Sequence, residues 1–320
     1  MSSTVQTVAH TVRVRSVTLG DGPVLVVAGA GGSPDGDRAD GGPGPAGADV
    51  RWLAPRPGRA AAELAAARAG RDVPVLAEPA TDADLPAVAA GADGVVVGAA
   101  WARDPARLAA AARLGLPVVL QRPPGADLAE WLELAARCAG AAGVALCEPG
   151  EGTAGEPPAA DLGLAAAARE RSGLPVLAAP GTRLAAATVA AGMDGLWLPA
   201  GAGEAEAAAA REAATLVGAL LRPQSPATLA SARGAIDRVD AALAVLLERR
   251  AALAGTVQRL KPVGGFAGRD AERERRLVAA MARRAPRLGE ARLAPIMNAV
   301  IEAGLRLSED APAAGPRPRG

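Results

Sequence analysis

The chain has no tyrosine, one phenylalanine and four tryptophans in 320 residues. Its cores must therefore be filled by aliphatic side chains, and 50% of the residues are hydrophobic, chiefly Ala, Leu and Val. Lysine is nearly missing too: Lys261 is the single one, and the excess of Arg, with abundant Ala, Gly and Pro, reads as high-GC codon usage. Lys plus Arg number 35 against 34 Asp plus Glu, a balance that creates no field to draw in nucleic acid or an anionic membrane. Cys138 and Cys147 lack metal-type spacing and fall in an expected helix and an expected strand, which predicts buried reduced thiols and neither a disulfide nor a metal site. The lone histidine, His10, precedes the first expected strand and reads as a surface residue. No run of 18 apolar residues is free of charge, and MSSTVQTVAHTVRVR has no signal-peptide core, so a cytoplasmic protein without a membrane span is expected.

What is present is a repeat of short apolar runs: 24–28, 49–53, 74–78, 94–98, 117–121, 143–147, 174–178 and 194–198. Each run is continuous, as for a parallel strand buried on both faces, and segments of helical period such as 59–70, 84–91, 104–114, 127–141 and 159–171 separate most of them. Eight such units predict an α/β domain, a (β/α)₈ barrel of the TIM type, over 1–222. The Gly- and Pro-rich stretch 29–48 cannot hold a helix, so one barrel helix should be missing. GAGG at 29–32 opens no helix and so does not read as a dinucleotide loop.

A different pattern fills 225–308. Ser225-Pro226 reads as an N-cap with Pro in the first turn, opening a helix that runs to about Lys261, where Pro262 stops it. Ile236, Val239, Leu243, Leu246, Leu247, Leu253, Val257 and Leu260 form a seam at three- and four-residue steps, the mark of a helix packed on partners along its length. Two shorter helices, about 269–284 and 290–307, complete an all-α second domain, and 309–320 should be a disordered tail.

Any single Arg on such a helix is first a solvated charge. Spacing adds to this. Arg250 and Lys261 are eleven residues apart, about three turns and roughly 16 Å of rise, which returns both to one face within reach of a small dianion. Arg233 lies about 25 Å before Arg250 on another face, so a second copy of the chain must supply it if it serves the same ligand.

The string Arg233, Ile236, Val239, Asp240, Leu243, Leu246, Leu247, Arg250, Leu253, Val257, Lys261, then Asp270, Arg273, Glu274, and later Val300, Ile301, Glu302, resembles the all-helical (type II) chorismate mutases. The resemblance covers about eighty residues. It implies a three-helix protomer in an intertwined homodimer that rearranges chorismate to prephenate without a cofactor or a metal. By the same resemblance, Arg250 and Arg273 clamp the substrate carboxylates, with Arg233 from the other chain. Lys261 donates to the ether oxygen, while Glu274 and the backbone at Asp270 receive the ring hydroxyl. Gly304 stands where the family often has a small hydroxyl residue. Ser308 stands where a Gln or Glu completes the ether-oxygen contact, a task that Glu309 could take by a shift of register.

The first domain resembles the barrel of 3-deoxy-7-phosphoheptulonate (DAHP) synthases, collinearly over about 25–205, through VVAGA (26–30), LAPRPG (53–58), GVVVGAAW (94–101) and PVVLQRP (117–123). Arg56, Glu78, Arg122 and Glu148 match functional residues of that family. Gly31, Gly181 or Thr182, and Pro199 stand at its metal ligands, and Ala54, Ala100, Gln121 and Pro149 at its substrate-binding cations. The resemblance thus implies a barrel without synthase activity, serving as a scaffold, a sensor of an aromatic amino acid, or a docking surface for an active DAHP synthase. Three other readings follow for the whole chain: a mutase of 4-amino-4-deoxychorismate, an isochorismate pyruvate lyase, or a non-catalytic regulator.

Overall fold

The computed structural model describes residues 10–30, 45, 47–69, 72–150, 159–181, 183–222, 226, 228–261, 263 and 265–310. Among the described residues there are ten strands: β1 Val12–Val14, β2 Val17–Leu19, β3 Leu25–Gly29, β4 Val50–Leu53, β5 Val75–Ala77, β6 Gly94–Val97, β7 Val118–Gln121, β8 Val144–Glu148, β9 Val176–Ala178 and β10 Gly195–Leu198. The helices are α1 Ala60–Arg68, α2 Leu85–Gly91, α3 Ala99–Ala102, α4 Pro105–Ala112, α5 Leu128–Arg137, α6 Leu162–Ser172, α7 Ala185–Ala190, α8 Glu204–Leu221, α9 Leu229–Leu260, α10 Ala271–Ala282 and α11 Gly289–Asp310. Contacts divide the chain into two compact units, Met1–Val239 and Asp240–Gly320, and the division falls within α9.

In the first unit β3 to β10 close a fully parallel barrel in chain order, β10 pairing with β3. Each of the eight apolar runs became a strand, because a barrel wall is buried inside and outside and tolerates no polar alternation. Alternate side chains divide between two cores. Leu25, Val27, Val50, Leu76, Val96, Val119, Ala145, Cys147, Leu177 and Trp197 fill the interior. Val24, Val26, Ala28, Leu196 and Leu198 pack outward against Ala207 and Ala210 of α8 and Val189 of α7. Acidic caps start several of the helices: Asp104 accepts from the backbone N–H of Ala106 at 2.9 Å, Asp127 from Glu130 at 2.9 Å and Asp161 from Leu164 at 3.0 Å. Both cysteines are free and buried, and burial pushes the Cys138 thiol up to about 11. Between β3 and β4 no helix is present among the described residues; 31–44 and 46 lie outside them.

One element was not expected. β1 and β2 form an antiparallel hairpin. Its Val12, Val14 and Leu19 join the interior core at the end where the barrel strands begin. His10 is exposed, and its backbone N–H reaches the Gly173 carbonyl at 3.0 Å.

At the same end, Asp194 is 1% exposed. Its carboxylate accepts from the Val176 N–H at 3.0 Å, from Arg169 Nε at 3.0 Å and from Arg222 Nη2. Arg222 in turn donates to the Gly22 carbonyl at 2.7 Å. One buried anion thus ties β9, α6 and the end of α8 to the loop before β3.

The helical region differs from expectation at its ends. Ser225 lies outside the described residues, and α9 starts later, at Leu229. There Thr228 Oγ1 accepts from the Ser231 N–H at 3.1 Å while Ser231 Oγ accepts from the Thr228 N–H at 3.0 Å, a reciprocal cap. α11 runs through Ser308 and Glu309 to Asp310, so the first residues of the expected tail are helical; 311–320 lie outside the described residues.

All four tryptophans, Trp52, Trp101, Trp131 and Trp197, belong to the barrel, so their emission reports its unfolding alone. Asp194→Ala leaves two guanidinium groups and an N–H without their buried anion, and urea unfolding followed by this emission should lose about 3–5 kcal/mol. A loss below about 1 kcal/mol would show that water or a rearranged side chain replaces the carboxylate.

Candidate active site

In the second unit a cavity of about 270 Å³ opens between α9, α10, α11 and the loop after α9. Its apolar wall is Leu253, Ala254 and Val257 of α9, Leu277 of α10, and Ile301 and Leu305 of α11. Its polar wall is Arg250, Gln258, Lys261, Arg269, Asp270, Arg273 and Glu274. A cleft of this size suits a small organic anion.

Helical repeat explains the α9 members. Residues 250, 253, 254, 257, 258 and 261 step along one stripe, so Arg250 and Lys261 share a face as their spacing predicts. Arg250 Nη1 donates to the Val300 carbonyl of α11 at 3.4 Å. Gly304 is buried beside it: a Cβ there would lie 3.6 Å from Ala254 Cβ and 3.9 Å from Arg250 Nη1. Lys261 Nζ donates to the Gly268 carbonyl at 2.7 Å, and Gln258 Oε1 accepts from the Gly265 N–H at 2.9 Å. Both bonds fold the connecting loop back over the end of α9.

The start of α10 supplies the rest. Asp270 is its N-cap, accepting from the Arg273 N–H at 2.9 Å. That bond is the main cause holding the Asp270 carboxyl below its ordinary range, helped by nearby Arg276 and Lys261. Arg269 grips Glu274 with two bonds, Nε to Oε1 at 3.1 Å and Nη2 to Oε2 at 2.7 Å, and this hydrogen bonding lowers the Glu274 carboxyl as well. Arg269 also reaches α11, donating to Asn298 Oδ1 at 2.6 Å and Glu302 Oε1 at 3.4 Å.

Of the seven residues singled out from sequence, five line this cavity: Arg250, Lys261, Asp270, Arg273 and Glu274. Arg233 is exposed on α9 and does not line it. Ser308 does not line it either; its Oγ bonds the Gly304 carbonyl of its own helix at 2.9 Å. Glu309 leans over the loop instead, its Oε1 2.9 Å from where a Cβ on Gly265 would be. Arg269 and Gln258 were missed. Gln258 could have been found, since it sits one turn before Lys261 on the same stripe. Arg269 could not be found by helical spacing, because it precedes the cap in extended backbone, with ψ 144°.

The barrel mouth, at the ends of β5, β7 and β8, is arranged differently. Arg122 is 8% exposed and Glu148 fully buried. Arg122 Nη2 and Nε both bind the Glu148 carboxylate, the former at 3.0 Å, and Nη1 donates to the Ala126 carbonyl at 3.1 Å. Glu78 lies against Gly98, where its Oε1 takes the space a Cβ would need, and burial raises its carboxyl. Arg56 turns to Glu63 of α1 at 2.7 Å. Inside the barrel Trp52 and Trp197 stack with centroids 4.8 Å apart, and Trp52 Nε1 donates to the Leu198 carbonyl at 2.9 Å. Gly31 and Thr182 lie outside the described residues. Among the described residues no helix is long and apolar enough to cross a membrane.

Comparison with known proteins gives each region a separate likeness. The family model for chorismate mutase type II matches residues 232–309. A truncated 3-deoxy-D-arabino-heptulosonate 7-phosphate synthase from Thermotoga maritima is similar in structure over 59% of this chain and 79% of its own, at 26% identity and a TM-score of 0.50. A phospho-2-dehydro-3-deoxyheptonate aldolase (DAHP synthase) structure, also from Thermotoga maritima, matches 59% of this chain and 63% of its own at 23% identity and a TM-score of 0.49. No curated protein sequence matches.

Asp270 and Glu274 are both held below their ordinary values, 3.8 and 4.5. Each therefore adds stability that is fully present above its ordinary value and is lost as pH falls through the lowered one. The thermal transition seen by circular dichroism but silent in tryptophan emission should thus move down in temperature below about pH 4.5. Glu274→Gln should flatten that slope; an unchanged slope would mean the carboxylate gains nothing from its partners.

Proposed function

With a chorismate mutase type II domain at residues 232–309, behind a barrel of the DAHP synthase kind, we propose that the helical cavity rearranges chorismate to prephenate. One observation carries this reading: Arg250, Lys261 and Arg273 converge on one small cavity whose carboxylates, Asp270 and Glu274, are already engaged by N–H donors and a guanidinium. Such a site offers a net cationic surface to a dicarboxylate.

In the rearrangement one C–O bond breaks as one C–C bond forms, and no proton is transferred. Catalysis then rests on holding the reactive conformer and stabilising the charge that builds on the ether oxygen. Arg250 and Arg273 are assigned to the two carboxylates, which guanidinium forks bind bidentately. Lys261 is assigned to the ether oxygen, with its ammonium kept at the cavity by Gly268. Glu274 and the backbone at Asp270 are assigned to the ring hydroxyl.

Arg233 enters this scheme only from a second copy of the chain. The seam of α9 supports such a homodimer, since Leu246 is 50% exposed, Leu253 68% and Leu260 79%, a row of large aliphatic side chains left in water by one protomer. The position of Ser308 favours a slow enzyme. With its hydroxyl committed to Gly304, the second donor to the ether oxygen is missing, a deficit on the order of a hundredfold.

The barrel is assigned no condensing activity. The DAHP synthase resemblance implies a metal, but Gly31 and Pro199 carry no donor atoms where two of its ligands would be. Ala54, Ala100, Gln121 and Pro149 offer no cation to phosphoenolpyruvate or a sugar phosphate. Arg122 is spent on Glu148, and two indoles occupy the interior. A scaffold, or a docking surface for an active synthase, fits these features better.

Loss of chorismate absorbance should be measured with the full-length protein, identifying the product by acid conversion to phenylpyruvate. The wild type should turn over, and Arg250→Ala should lose on the order of 10²- to 10³-fold in kcat/KM. A folded wild type without turnover would shift the reading to an amino-substituted substrate or a regulator. Gly304→Ser adds a Cβ at ordinary contact distance from Ala254 and Arg250 and so brings a hydroxyl to that side of the cavity; it should preserve stability and raise kcat/KM, and a fall would contradict the assigned geometry.

A further inference from the structure

Resting on the chorismate reading, we infer that Arg269 is the positioning residue for Glu274: it holds the carboxylate in a two-pronged grip and fixes that pair against α11. The grip is fork to fork, the geometry that gives a guanidinium its directional strength. The same guanidinium is held from α11, Nη2 donating also to Asn298 and Nη1 to Glu302, and Asn298 Nδ2 donates to Glu302 Oε1 at 2.9 Å, so the acceptors are themselves fixed. The three ionic side chains are only partly exposed, 27% for Arg269, 23% for Glu274 and 32% for Glu302.

The charges around Glu274 show what the grip prevents. Arg269 and Asp270 act on it from the segment before α10 and Lys261 from the end of α9, while Arg250 of α9 and Arg273 of α10 line the same cavity and Glu302 of α11 binds Arg269. Without Arg269, Glu274 would stand beside the like charge of Asp270, with Lys261, now bonded to the Gly268 carbonyl, as a cation to turn to. A Glu274–Lys261 pair would neutralise the ammonium assigned to the ether oxygen and withdraw the carboxylate assigned to the ring hydroxyl. Arg269 thereby keeps an acid and a cation apart in one cavity. Its line of contacts also makes the position of α11 a condition for the position of Glu274.

The test uses the full chain with Arg269→Ala and Arg269→Lys. The Glu274 carboxyl is titrated by carbon NMR, assigned through Glu274→Gln, and the pH profile of kcat/KM is recorded alongside. In Arg269→Ala the Glu274 midpoint should rise, because one ammonium lowers it less than the two-bond guanidinium does; the acid limb of kcat/KM should move up with it, and kcat should fall on the order of 10- to 100-fold. Arg269→Lys keeps the charge without the fork, so it should restore most of the midpoint but not kcat. It also serves as the folded variant should the alanine substitution unfold the helices. An unmoved Glu274 midpoint in folded Arg269→Ala, or wild-type kcat in Arg269→Lys, overturns the inference. A wild type that turns over no chorismate, with the midpoint still rising in Arg269→Ala, sinks the functional reading and leaves the hold of Arg269 on Glu274 standing.

Discussion

The period of one α-helix sets the site. Eleven residues return α9 to the same face, and this alone places Arg250 and Lys261 over one cavity, three turns apart. Everything else at the site is fitted to that pair. The loop after α9 folds back because Lys261 and Gln258 bond its backbone, and this brings the start of α10 beneath the end of α9 with Asp270, Arg273 and Glu274. α11 then closes the third side, its Gly304 leaving room next to Arg250. A cluster of cations repels itself, and here the repulsion is met by carboxylates that are themselves held: Asp270 by the first turn of α10 and Glu274 by Arg269. The outcome is positive charge with fixed positions, which is what stabilisation of a developing oxyanion requires.

The barrel follows a different economy. Beside its four tryptophans it packs Val, Leu and Ala in two layers on either side of the strands, and it relies on buried ion pairs at both ends. Asp194 organises the end where the strands begin, and Arg122 with Glu148 closes part of the other. The same arginine that could bind an anion at the mouth of a barrel is here a structural pair, and the two indoles stack across the interior.

Much of this was legible in the amino-acid order. A parallel strand buried on both faces has to be a continuous apolar run, so all eight barrel strands could be read to within about two residues, and the α9 stripe was plain from its period. The β1–β2 hairpin was not, because VRV and VTL are three residues each and alternate, too short a signal to separate from a polar terminus. The start of α9 was set too early, since Ser225-Pro226 resembles a helix start while Thr228 and Ser231 make the cap. Arg269 escaped for a geometric reason: helical spacing relates residues within a helix, and Arg269 acts from the extended residue just before one. Ser308 was read by register as a cavity residue, whereas its hydroxyl found a nearer acceptor in its own helix.

The most direct test of the central claim is a calorimetric titration of the full-length protein with a stable bicyclic ether dicarboxylate shaped like the transition state of the rearrangement. The account predicts one site per chain, binding at least about 100-fold tighter than chorismate itself, with affinity falling as salt screens the cations. Absence of binding, or binding no tighter than that of a simple planar dicarboxylate, would contradict it.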